Sequence, residues 1–506
     1  MSNHEIIKNL QPKRVWELFA ELGNIPRPSN REEQVRIWLK DFTQKNNLNW
    51  KQDKIGNLVI YKPAQNTESK KTLILQAHMD MVCQKDDQIE FNFDTDPIQF
   101  RAENGCIYGT NTTLGSDNGI GLCMILAVLE DKQLSHPNLQ ALFTMSEEIG
   151  TIGALNLDTS LIQGDFMINL DSESEGIIWT SSAGNRDVDL SLKFEMKSPD
   201  IDLIGYKTVV SSLRGGHSGV NAHENLTNAI KLMSNILHEF QNETDLYLNS
   251  INGGNARNAI PRDANAIFGI SKNDVKSILK LEAIIEKYKT NYQKYEPNIK
   301  IELIKNVSIE QSLSLLKTQK IIFLLNSIHS GVLQMSQEMA GLVQTSNNLG
   351  IIETKNDSIL IVNMTRSNDN FELAQAVNML TNQFKSTFGT DIKVDVFDPS
   401  IQNAEFEGGS IKLSSVSPGW KHDPNNLLIE VVVNSYQKLF NKIPKIEAVH
   451  AGLECGIFKN YLPDCHIISF GPTIRNAHSP NESVQIKSVE ACFKLFLEVV
   501  ETLSKI

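Results

Sequence analysis

Long apolar runs are missing from this 506-residue sequence, and stretches such as 122–129 are far too short to span a bilayer. The first fourteen residues have no apolar core of the kind a secretory signal needs. None of the six cysteines falls in a C-x-x-C pair, which argues against a zinc ribbon or a disulfide framework and for reduced thiols in a cytoplasmic protein. Positive charge is also scarce. With 48 Lys and Arg against 60 Asp and Glu, the net charge of −12 disfavours nucleic acid or an anionic membrane as a partner. There is no H-E-x-x-H, no G-x-S-x-G and no P-loop, so a helix-borne single-zinc site, a serine elbow and a phosphate cradle are all disfavoured.

What is present reads as α/β. Apolar residues at helical spacing, such as Val15, Leu18, Phe19 and Leu22, alternate with strand-length runs at 58–61, 73–77, 139–145 and 166–170. A buried helix is expected over 118–129. Together these predict a mostly parallel twisted sheet. Near Gly184 the texture changes. Helical patterns at 223–241, 273–291, 316–330 and 371–388 alternate with strand-like runs at 206–213, 264–270, 299–305, 358–364 and 391–397. That reads as an inserted α+β domain over 186–399, either single or doubled. The first texture returns after about residue 400. Residues 1–185 and 400–506 are therefore expected to form one discontinuous domain.

Five segments carry acids and histidines: Q-A-H-M-D-M (76–81), L-G-S-D-N-G (114–119), M-S-E-E-I-G (145–150), N-L-D-S-E (169–173) and N-A-H-S-P-N-E (476–482). Four of them follow expected strands or open expected helices, and in an open α/β sheet such places share one crevice. Imidazole and carboxylate suit a pair of zinc-like ions, with a carboxylate able to bridge and room left for water or hydroxide. Asp80, two residues after His78, is close enough to orient its imidazole. Glu147 and Glu148 are adjacent and point differently, so one can bind metal while the other handles a proton.

With these segments in this order, the sequence resembles the M20 clan of co-catalytic zinc peptidases over nearly its whole length. R-G-G-H-S-G (214–219) and H-A-G-L-E-C-G (450–456) resemble its aminoacyl-histidine (Xaa-His) dipeptidase branch in particular. The resemblance implies hydrolysis of dipeptides with a free amino end: Xaa-His, β-Ala-His or a broad range. It implies His78 and Asp171 on one metal ion, Glu148 and His478 on the other, and Asp117 bridging. Zinc is the first expectation, with cobalt or manganese also able to take these ligands. Glu147 would be the general base and Asp80 the support of His78. In the inserted domain, taken as a lid, His217 would stabilise the oxyanion, with His223 as a nearby alternative. Arg366 and Asn258 would contact substrate. The alternatives are removal of an acyl group from an amino acid at the same site, and a non-catalytic peptide-binding protein. Monomer and homodimer both remain open.

Overall fold

The computed structural model describes residues 2–506, which divide into two compact units. Unit 1 comprises residues 1–181, 420–448 and 453–506, and unit 2 residues 182–419 and 449–452. Among the described residues no helix is long and apolar enough to cross a membrane.

Unit 1 is built on an eight-stranded mixed sheet. Its middle is parallel: Asn138–Thr144, Thr72–His78, Phe166–Asn169 and His466–Ser469 lie side by side in that order. These strands read as continuous apolar runs because both faces are covered, and Leu73, Ile74, Leu75, Met167 and Ile168 are fully buried. The flank beyond Asn138–Thr144 is antiparallel, through Leu58–Lys62 and then Asn49–Gln52. The helix Ser116–Glu130 is apolar on every side, as its sequence predicts, and is buried over nearly its whole length. Lys13–Leu22 and Ile486–Leu503 share its core with their apolar faces.

Unit 2 carries a ten-stranded sheet, and every pairing in it is antiparallel. Two groups of strands meet where Gly253 pairs with Ile352. One group is Lys300–Val307, Leu203–Ser211, Ala264–Ser271 and Leu246–Gly253. The other is Val343–Thr354 with Gly331–Met335 paired to it, Ser358–Ser367, Gly184–Lys193 and the hairpin Gln402–Phe406/Gly409–Leu413. Four helices, Ala229–Phe240, Ile278–Tyr292, Leu315–Ser327 and Asn370–Phe388, share one core with the sheet.

Three differences from the sequence expectation have physical causes. The 402–413 hairpin adds to strand Gly184–Lys193, so unit 2 runs on to Gly419 rather than ending at 399. The run 391–397 is not a strand: Ile392 and Val396 are buried, but a turn capped by Asp395 on the Phe397 N–H breaks the extended backbone. The twelve-residue strand Val343–Thr354 was missed because Ser346, Asn347 and Asn348 sit within it, polar residues that propensity places in turns.

Candidate active site

Strand order places the acids and histidines of unit 1. Thr72–His78 lies between Asn138–Thr144 and Phe166–Asn169, parallel to both. His78 ends its own strand, Glu147 and Glu148 follow Thr144, and Asp171 follows Asn169, so all leave the sheet at one carboxyl edge. Asp117 sits in the first turn of Ser116–Glu130 with extended rather than helical angles (φ −82°, ψ 111°). His478 lies beyond Ile474–Arg475, in the left-handed region at φ 63°.

These side chains form a continuous chain of contacts. His78 Nε2 is 3.4 Å from Asp171 Oδ1 and 3.1 Å from Asp117 Oδ1. The other Asp117 oxygen, Oδ2, is 3.2 Å from His478 Nε2, which is 2.9 Å from Glu148 Oε2. One ligand atom each from His78, Asp117 and Glu148 lies within 4.8 Å of the others. Asp117 thus turns its two oxygens to two different imidazoles.

Asp80 is fully buried and ties two loops together. Its Oδ1 is 3.3 Å from His78 Nδ1, and its carboxylate accepts from Ser29 Oγ (2.7 Å) and from the backbone N–H of Glu147 (3.0 Å) and Glu148 (3.2 Å). Beneath the site runs a polar network that sequence reasoning missed. Gln76 Nε2 and Thr144 Oγ both donate to Glu454 Oε2, at 2.6 and 2.9 Å. Asn169 donates to Gln76 and accepts from Ser469 at 2.5 Å. The signals for it were polar residues at or near the carboxyl ends of apolar strands and the acid within the 450–456 segment.

The electrostatics describe a site short of positive charge. Burial pushes the Asp171 carboxyl up to about 6, against the pull of His78. Burial, and then the nearby acids Asp171, Glu454 and Glu148, raise Glu147 well above the usual carboxylate range, although His78 opposes this. Burial also works to raise Asp117, but hydrogen bonds from His478 and His78 hold it well below its usual value. Hydrogen bonds to Asp117 and then Glu148 push His478 up to about 11. Glu148 Oε1 is buried with no hydrogen-bond partner among the described residues. An orphaned carboxylate oxygen among imidazole and carboxylate donors fits a zinc-like divalent cation.

His217, Asn258 and Arg366 fall in unit 2, where they form a cluster of their own. Two short strands pair His217 with Ala259. The backbone N–H groups of Gly219 and Val220 donate to His217 Nδ1 at 3.2 and 3.0 Å, so the ring proton sits on Nε2. Burial and then the charge of Arg366 lower its pKa, which favours the neutral ring. The Asn258 carbonyl accepts from Ser218 N–H (2.8 Å), and Asn348 Nδ2 donates to the carbonyls of Arg257 and Ala259 on either side. Arg366 is only 6% exposed, its Nε has no partner, and it forms no ion pair among the described residues. Its cross-strand neighbour Ser346 bonds His450 Nε2 at 2.7 Å. A Cβ on Gly219 would lie 2.2 Å from the His450 carbonyl and 3.2 Å from the His217 ring, so only glycine fits there. The alternative, His223, is exposed and bonds the Val220 carbonyl. Ser346, Asn348 and His450 complete this cluster, and only the neighbourhood of His450 had been marked in the sequence.

The sequence profile of peptidase family M20/M25/M40 matches residues 74–502. Over 501 residues the chain is 35% identical to the cytosol non-specific dipeptidase of Escherichia coli (strain K12), covering 98% of each. The crystal structure of aminoacylhistidine dipeptidase from Vibrio alginolyticus matches with a TM-score of 0.89 and 32% identity, again over 98% of both chains. An aminopeptidase from Bacillus cereus shares the fold at a TM-score of 0.57 and 16% identity, over 98% of this chain and all of its own. By the match of its sequence to the family over residues 74–502, and by near full-length identity to a dipeptidase, the chain belongs to peptidase family M20/M25/M40.

Proposed function

We propose that this hydrolase cleaves the peptide bond of dipeptides with a free amino end, with His-containing dipeptides among its substrates. The observation that carries the reading is Asp117, whose two oxygens face two different imidazoles. The names of the two near full-length relatives, a non-specific dipeptidase and an aminoacylhistidine dipeptidase, support the substrate class. His78 and Asp171 would hold one divalent ion, Glu148 and His478 a second, with Asp117 between them. Zinc suits this donor set best, and cobalt or manganese could replace it. When bound, such ions polarise a carbonyl and bring the pKa of water toward neutrality.

The remaining chemistry belongs to side chains. Glu147 takes the proton of the attacking water and returns it to the departing amine. Its pKa, raised by burial, favours its taking up and holding a proton. Asp80 holds the His78 ring in one orientation. His217, with its proton on Nε2, is a donor for the developing oxyanion. Arg366 is buried and forms no ion pair among the described residues, although the charge of Asp187 reaches it, and we assign it the free carboxylate of the substrate, with Asn258 beside it. The six cysteines, all free, agree with a cytoplasmic location.

The test strips the protein of metal, reloads it with zinc or manganese, and compares a dipeptide panel with N-acylated amino acids. Metal-dependent release of two amino acids from the dipeptides alone is expected. Release of acyl groups instead would replace the proposal with a deacylase.

A further inference from the structure

We propose that Glu482 is a positioning residue that locks the Asp117 loop to the His478 loop and so sets the half of the metal centre built from Asp117, Glu148 and His478. The inference rests on the two-ion reading above. Glu482 closes the fifth sequence motif, yet the reaction gives it no task. Its side chain is 2% exposed. Oε2 accepts from the backbone N–H of Leu114 (2.8 Å) and Gly115 (2.9 Å). Oε1 accepts from the N–H and hydroxyl of Ser116 (2.7 and 2.6 Å) and the N–H of Asp117 (3.3 Å). One carboxylate therefore takes five donors from the four residues that end at Asp117.

At its other end Glu482 stands four residues from His478. That loop holds Asn476 and His478 at φ 53° and 63°, the left-handed region, which is strained for histidine and persists only when the surroundings hold it. The turn is tied internally by Glu482 N–H to the Ser479 carbonyl (2.9 Å) and Ser479 Oγ to the Asn476 carbonyl (2.8 Å), and externally by the Glu482 carboxylate. Buried Arg27 extends the lock, donating to the carbonyls of Met79 (3.1 Å), Asp80 (2.8 Å) and Gly115. The His78–Asp171 half has separate supports in its own strand ends and in Asp80. Loss of Glu482 should therefore loosen one half of the centre more than the other. An amide at 482 would turn N–H groups against N–H groups, so Glu482→Gln removes the lock with almost no change in volume.

The experiment uses the full chain, stripped and then reloaded with zinc alone. The wild-type chain is expected to hold two ions, and Glu482→Gln to hold the weaker one about 100-fold less tightly, as when a residue that orients a ligand is lost. kcat should fall with zinc affinity and recover in part at high zinc, while KM stays within about threefold, since ground-state substrate contacts are untouched. In the stripped protein the amides of Leu114 to Asp117 should exchange at least about tenfold faster in the variant, a readout that needs no metal. Two ions held with wild-type affinity, or unchanged exchange, would overturn the inference. A wild-type chain that takes up fewer than two ions would overturn the two-ion reading and this inference with it. Should Glu482→Gln fail to fold, Ser116→Ala removes one of the five donors. It should weaken the same ion several-fold, and an unchanged affinity overturns the inference.

Discussion

The two clusters of polar groups are built to opposite specifications. In unit 1, acids outnumber bases and face imidazoles a hydrogen bond away, and burial, with neighbouring acids, holds Asp171 and Glu147 above their usual range against the pull of His78. In unit 2, Arg366, His217 and His450 gather with the charge of Asp187 acting on the guanidinium, and burial, with the charge of Arg366, favours the neutral form of both rings. The first arrangement invites cations and proton transfer. The second offers fixed donors and one buried positive charge, which suits an anionic group on a small molecule. Under the proposed function, chemistry would fall to the first unit and recognition to the second.

That division can be broken by mutation. The largest effect is expected from Glu147→Gln, which should lower kcat about 10³-fold or more for loss of the proton carrier, with zinc content unchanged. Loss of zinc together with activity would make Glu147 a ligand instead. Next comes His217→Ala, expected to cost about 10²-fold in kcat as an oxyanion donor is removed. Arg366→Ala should lower kcat/KM for dipeptides by about 30-fold or more, mostly through KM, because a desolvated charge pair is lost. Neither change in unit 2 should alter zinc content. An Arg366→Ala protein that lost zinc would end the division proposed here.

Two smaller effects depend on pH. In stripped protein, His478 is held up to about 11 by Asp117 and then Glu148, against an ordinary value of 6.5. The folded state then favours the protonated ring. That contribution is complete below pH 6.5 and is lost as pH rises through about 11. Thermal melts of stripped protein should fall between pH 7 and 11 more steeply than those of a His478→Ala variant, and equal slopes would remove the histidine from the account. His450 behaves in the opposite sense. Burial first, and then the charge of Arg366, hold it down to about 3. Between pH 3 and 6.5 the unfolded chain binds the extra proton, so stability falls as pH falls, by up to about 1.4 kcal/mol per pH unit. Urea titrations at pH 4 and 6 should show a smaller drop for His450→Asn than for the wild-type chain.

Much of unit 1 was legible because its local signals agree. The run 118–129 is apolar and too long for an ordinary strand, and the helix spans Ser116–Glu130. Residues 427–439 and 489–503 likewise carry one apolar stripe each and form helices. In unit 2 the signals conflict. Val343–Thr354 is a strand despite its polar residues, because Asn347 and Asn348 spend their amides on backbone carbonyls of neighbouring segments. The run 391–397 alternates like a strand and pairs with nothing.

The same contrast holds at the site. Residue type and spacing alone establish that His78, Asp117, Glu148, Asp171 and His478 are ligand-type groups at strand ends and helix starts, since side-chain chemistry and local periodicity are properties of short segments. Convergence is not such a property. That Asp117 meets His78 on one oxygen and His478, 361 positions away, on the other depends on strand order. So does the meeting of Glu454 with Gln76, and that of Ser346 with both Arg366 and His450. Those contacts exist only once the sheets are assembled, because burial and cross-strand register bring together residues that chain position keeps apart.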